Sequence, residues 1–117
     1  MNLNIFAEFP TLDAHAPEGY QVEFLGHISK CEYQVRAATG GNAVRPAIDH
    51  EIFEWIAILE SVIAARSSFT MVDLGAGYGR WTARAACALR LKRSELQSRF
   101  VAVEGRSGRN GPNGGPA

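Results

Sequence analysis

The chain has 117 residues, the length of a single domain. Hydrophobic residues make up 46% and charged residues 21%, which excludes a wholly disordered chain, a collagen-like repeat and a disulfide scaffold. Twelve lysines and arginines against twelve acids give a net charge of zero, so overall charge points to neither nucleic acid nor a membrane surface.

The charge is nevertheless unevenly placed: ten acids and four bases precede position 80, and two acids and eight bases follow from Arg80 onward. Arg80, Arg84, Arg90, Lys92 and Arg93 fall in a helical stretch and read as a solvated face, so nucleic acid is not the expected partner. The longest apolar runs span only a few residues, so no membrane span is expected. Residues 1–20 have no basic residue ahead of an apolar stretch, which does not read as a secretory signal and leaves the cytoplasm as the expected compartment. Cys31 and Cys87 are far apart, and His15, His27 and His50 are scattered, so no metal site is expected.

In chain order, residues 1–47 read as an N-terminal extension. Pro10, Pro17 and Gly19 interrupt it, a short strand or turn is expected around residues 3–6, and alternation over residues 20–24 predicts a half-buried strand closed by Gly26. Tyr33 and Val35 suggest a second, weaker strand, and residues 39–46 a loop. The clearest helix follows, because Ile52, Trp55, Ile56, Leu59, Val62 and Ile63 recur at three- and four-residue steps as one apolar stripe. Asp49 is its expected N-cap, Ile48 and Phe53 have the spacing of a hydrophobic staple, and Glu51, Glu54 and Glu60 fall on the wet side.

Residues 69–74, Phe-Thr-Met-Val-Asp-Leu, read as a buried strand. Gly75, Gly77 and Gly79 follow at alternate positions, then an Ala- and Arg-rich helix over residues 80–92, then an apolar strand over residues 100–104. Strand, glycine turn, helix and strand make one βαβ unit. A strand that turns sharply into a helix while letting a ligand lie against its backbone needs positions without a Cβ, and the following helix offers unpaired N–H groups. Glu104, at the end of the next strand, stands where a carboxylate can accept both hydroxyls of a ribose. Together these describe a site for an adenosine-containing ligand.

The dinucleotide pattern Gly-x-Gly-x-x-Gly does not fit in either frame, because its last position falls on Arg80 or Thr82, and there is no Gly-Lys-Ser or Gly-Lys-Thr of a phosphate loop. A nicotinamide-dependent oxidoreductase is disfavoured on that ground. The stretch Met-Val-Asp-Leu-Gly-Ala-Gly-Tyr-Gly-Arg-Trp at 71–81 instead resembles the first motif of class I S-adenosylmethionine-dependent methyltransferases. Phe24, Leu25 and Gly26, residues 51–63, the glycine turn and residues 100–104 extend this resemblance to the N-terminal part of FkbM-type methyltransferases.

The resemblance implies an α/β fold, part of a doubly wound, Rossmann-like methyltransferase sheet over residues 48–104, preceded by an amphipathic helix and short N-terminal strands. It also implies S-adenosylmethionine as cofactor. Asp73 would lie near the cofactor's methionine end, Gly75, Gly77 and Gly79 would allow its approach, and Glu104 would hold the ribose. It names no catalytic residue and no methyl acceptor; Tyr78 and Trp81 near the turn read as packing. Residues 105–117 are rich in glycine, proline and asparagine with nothing to bury, and are expected to be a disordered tail on a truncated domain. A parallel strand is normally paired on both sides, so the strand at 69–74 is expected to carry an open apolar edge, with marginal stability or self-association as the consequence. A non-catalytic interaction module that uses this edge is the alternative function.

Overall fold

In a computed structural model, residues 1–30, 43–75, 77 and 79–103 are described. A 3-10 helix, Leu3–Glu8, opens the chain where the sequence suggested a strand or turn. Burial drives the difference: one tight turn puts both Ile5 and Phe6 inward, which an alternating strand cannot do.

Strand β1, Tyr20–Val22, pairs antiparallel with β2, Ile28–Lys30. The expected strand therefore stops two residues early, and its partner is a segment that the sequence pattern did not mark. Glu23 to His27 form the connecting turn, in which the Glu23 N–H donates to the His27 carbonyl (2.9 Å) and the Gly26 N–H to the Glu23 carbonyl (2.9 Å). Gly26 adopts a positive φ of 94°, and Phe24 and Leu25 drop from the turn into the core. The strand anticipated around Tyr33 and Val35 lies outside the described residues, as do the tail at 105–117 and Glu104.

Helix α1, Ile52–Ala64, buries Ile52, Trp55, Ile56, Leu59 and Val62, the stripe that the spacing predicted. The N-cap is Glu51 rather than the expected Asp49, and it makes no side-chain cap hydrogen bond; because the helix begins at Ile52, Asp49 falls in the turn before it, accepting the Glu51 N–H on its side chain (2.9 Å) and the Ile52 N–H on its carbonyl (3.2 Å). The staple does not form: Ile48 and Phe53 are both 67% exposed. With the helix beginning at Ile52, Phe53 is its second residue and points outward, and Trp55 occupies the position a staple would use. At the other end Arg93 donates to the Val62, Ile63 and Ala65 carbonyls (2.8–3.0 Å), which satisfies groups that a helix C-terminus leaves open.

Strand β3, Ser68–Leu74, helix α2, Arg80–Lys92, and strand β4, Gln97–Val103, follow. β3 and β4 are parallel, in a register that sets Met71 opposite Phe100, Asp73 opposite Ala102 and Leu74 opposite Val103. The expected βαβ unit is present and the fold is mixed α/β, with two two-stranded sheets. The main core joins α1, α2 and one sheet face through Trp55, Leu59, Val62, Phe69, Ala85, Ala88 and Leu89. Edge-on aromatic contacts run from Phe6 to Phe24 to Trp55 to Trp81 at 5.7–6.1 Å, tying the N-terminal segment to α2.

β3 is not buried on both faces as its composition suggested. Phe69 faces the core, whereas Val72 is 57% and Leu74 76% exposed, because both helices pack on the same side of the sheet. Among the described residues, no helix is long and apolar enough to cross a membrane.

Candidate functional site: the glycine turn and its arginine lock

Three successive alternate residues carry the turn between β3 and α2. Gly75, Gly77 and Gly79 have φ values of 69°, 60° and 82°, in the left-handed region that costs other residues about 1–2 kcal/mol. Among the described residues, a Cβ on any of the three would meet no atom within 4 Å. Glycine is thus required there by backbone conformation rather than by crowding from those residues. The Gly75 N–H donates to the Val103 carbonyl (2.6 Å), which extends the β3–β4 pairing one residue past the strand.

Gly79 is the N-cap of α2, with no side-chain cap and no acid in the first helical turn. Asp73, at the end of β3, accepts a hydrogen bond from the Thr82 hydroxyl (3.3 Å), so its carboxylate lies against the first turn of α2. The sequence-selected Asp73, Gly75, Gly77 and Gly79 thus come together at one end of the sheet; Glu104 and Tyr78 are outside the described residues. Among the described residues, no group of three or more His, Cys, Asp or Glu side chains could hold a metal ion.

The side chains that lock this end in place were not singled out by sequence. Arg84, expected on a solvated face, is 4% exposed. Its guanidinium donates Nε to Glu23 (2.7 Å) and Nη2 to the other oxygen of the same carboxylate (2.5 Å), the bidentate geometry that suits arginine. Nη1 reaches Glu51 (3.3 Å). Trp55 and Trp81 hold the guanidinium at 4.6 and 4.3 Å from their ring centroids. Burial alone would lower the Arg84 pKa, but hydrogen bonds and charge from Glu23, then Glu51, outweigh it and hold the pKa above the usual arginine value.

Glu51, expected on the wet side of α1, also pairs with Arg80 (2.5 Å), the first residue of α2. One carboxylate thereby joins the start of α1 to the start of α2, and both helix N-termini lie at the end of the sheet where the glycine turn sits. A weak signal existed: Arg80 and Arg84 are one turn apart on the same helix face as Trp81's neighbours, and a pair of cations at a helix N-terminus calls for nearby acids. Beside the lock, a cleft of about 230 Å³ opens between the β1–β2 turn and the start of α1, lined by Glu23, Arg45, Asp49, Glu51, Trp55 and Arg84 among others.

His27, in the same hairpin turn, has its pKa lowered below the ordinary 6.5, first by burial, with Glu23 opposing and Arg84 reinforcing. Its Nε2 is buried with no hydrogen-bond partner among the described residues.

No family model, curated protein or solved structure gives a significant match to this chain.

Proposed function

We propose that the chain carries the first cofactor-binding segment of an S-adenosylmethionine-dependent methyltransferase of the FkbM type, in a Rossmann-like arrangement, working in the cytoplasm. The observation that carries this reading is the turn itself: three left-handed glycines, with no described residue within 4 Å of where a Cβ would stand, between a parallel strand and the N-terminus of a helix, with Asp73 held at its rim. These residues fit the proposed cofactor. The glycines let its backbone-facing side approach closely, the α2 N–H groups and Asp73 suit the carboxylate and ammonium of its amino-acid arm, and Glu104 is the ribose ligand that the resemblance implies. The cofactor would supply an activated methyl group for displacement by an acceptor, and the residues described here would bind and orient it rather than take part in proton transfer.

Calorimetric titration with S-adenosylmethionine and S-adenosylhomocysteine tests the reading without the acceptor. Micromolar binding that is lost in Gly77→Arg, in a variant that still melts cooperatively, is the expected result. Absence of binding by the folded wild-type chain refutes it.

A second reading, an interaction module, is favoured by one observation. β3 is bonded to β4 on one side only among the described residues, and Val72, Leu74 and Val103 form an exposed apolar surface beside it. Concentration-dependent association without cofactor binding would support that reading over the first.

A further inference from the structure

Among the described residues β3 pairs with β4 on one side and with nothing on the other. Free strand edges are commonly guarded by lysine or proline, because a row of open N–H and C=O groups recruits another strand. β3 contains no lysine, arginine or proline, and its one charge, Asp73, accepts the Thr82 hydroxyl. A hollow of about 280 Å³ is lined by Ala57, Ile58 and Ser61 of α1 and by residues 69–72 of β3. Alternate residues of β3 point to opposite faces of the sheet, so both faces contribute to the hollow while β4 does not, which puts it along the unpaired edge. Whatever pairs with β3 there must also lie against α1. Two charges mark the ends of this surface: Glu54 stands one turn before Ile58 on the same face of α1, and Arg66 stands just past the helix C-terminus. Both are exposed, and neither forms an ion pair among the described residues.

We propose that this edge is the contact between two copies of the chain, related by a two-fold axis that sets β3 beside β3 and α1 beside α1, both antiparallel. The proposal rests on the self-association reading above and gives it a specific interface. The two-fold inverts α1, so Glu54 of each copy meets Arg66 of the other, and both charges are satisfied twice over. A partner carrying charge of one sign would satisfy only one end of α1. Position 60 lies midway between the two charges, next to Ser61 of the hollow; Glu60 itself is engaged elsewhere, accepting a hydrogen bond from Asn2 (2.8 Å). The small side chains of Ala57 and Ser61 let the two helices approach, and Phe53, one turn before Ala57 and 67% exposed, is covered. The two-stranded sheet becomes a four-stranded one in the order β4-β3-β3-β4, with helices along one face, a size better able to hold itself together. The glycine turns fall at opposite ends of the paired β3 strands, so the interface does not compete with the cofactor reading.

Sedimentation equilibrium on wild type, Glu54→Arg, Arg66→Glu, the double reversal in one chain and an equimolar mixture of the two single variants tests the arrangement. Wild type is expected to dimerise at micromolar concentration. Each single variant sets like charges against each other twice and is expected to dimerise about tenfold more weakly. In the double reversal, and in the mixed dimer of the two single variants, every arginine again meets a glutamate, and affinity is expected to return to within about threefold of wild type. Ala57→Arg, which drives a long side chain into the hollow, is expected to weaken the dimer at least about tenfold with no rescue by either charge variant. A wild type that stays monomeric at about 100 μM overturns the proposal and the self-association reading together. A wild-type dimer that is indifferent to these substitutions, or single variants that the mixture does not rescue, overturns this interface and leaves self-association standing. All three positions are exposed, so the variants are expected to melt as wild type does; if one single reversal fails to fold, the other, with the double reversal, decides.

Discussion

Replacing Arg84 with methionine keeps an unbranched apolar side chain between Trp55 and Trp81 and removes only the guanidinium. The loss has three parts. Two charge-assisted hydrogen bonds to Glu23, at 2.5 and 2.7 Å, are worth about 1.5–3 kcal/mol each. Two cation–ring contacts add about 0.5–2 kcal/mol each. The Glu23 carboxylate, 11% exposed, is left charged without its partner. Against this, the variant no longer strips water from a guanidinium, a relief of several kcal/mol. The balance is a destabilisation of about 3–5 kcal/mol, the range for breaking one side of a buried ion pair. Domains of this size are stable by about 5–15 kcal/mol, so the variant should sit near the edge of folding. Urea denaturation followed by tryptophan emission reads the site directly, because both flanking rings belong to the lock. Glu23→Gln in the Arg84→Met background should cost little more, since the charge it removes has already lost its partner. A loss below about 1 kcal/mol for Arg84→Met, or costs that simply add in the double variant, would refute the assignment of Arg84 as a buried lock.

Other substitutions separate backbone from packing. Gly79→Ala should cost about 1–2 kcal/mol from its positive φ alone, and Gly79→Asn less, because asparagine tolerates the left-handed region. Gly26→Ala should cost more than Gly79→Ala in the same melt, since its Cβ would also press on Leu12 at 3.1 Å. His27 is held neutral by burial, so the unfolded chain takes up its proton first; stability is intact above pH 6.5 and falls as pH drops through that value, and melts at pH 7 and pH 5.5 should show this slope flattened in His27→Gln. Val72→Lys with Leu74→Lys should leave the melting temperature nearly unchanged, because both side chains are exposed, while sedimentation at high concentration shows any wild-type self-association abolished.

The parts of the fold with strong local period were legible in the sequence. The stripe from Ile52 to Val62 predicted α1 and its buried face, and the residue-by-residue order of β3, glycine turn and α2 was readable because strand, left-handed turn and helix each demand different side chains within a few positions. What escaped depended on partners distant in sequence. β2 is three residues long and takes its identity from pairing with β1 rather than from its own alternation. Val72 and Leu74 are apolar yet exposed, and composition alone cannot tell whether a second layer covers them. Arg84 and Glu51 were misassigned to water for the same reason. A charged residue on a helix is most often solvated, and only the approach of Glu23, 61 positions earlier, turns Arg84 inward.

That long-range pairing also accounts for the uneven charge along the chain. The acid-rich N-terminal part and the base-rich stretch from Arg80 onward are not two separate electrostatic surfaces at this end of the molecule, because Glu23 and Glu51 from the first meet Arg80 and Arg84 from the second. The N-terminal hairpin is therefore attached to the βαβ unit by charge as well as by the ring contacts of Phe24, Trp55 and Trp81. Each attachment falls on α1 or α2 within about a turn of its N-terminus, where a helix end is held or lost with the side chains around it. The geometry of the glycine turn thus depends on residues far outside the motif that announces it. A truncation or substitution in the β1–β2 turn should disturb the turn as surely as a change to one of its glycines.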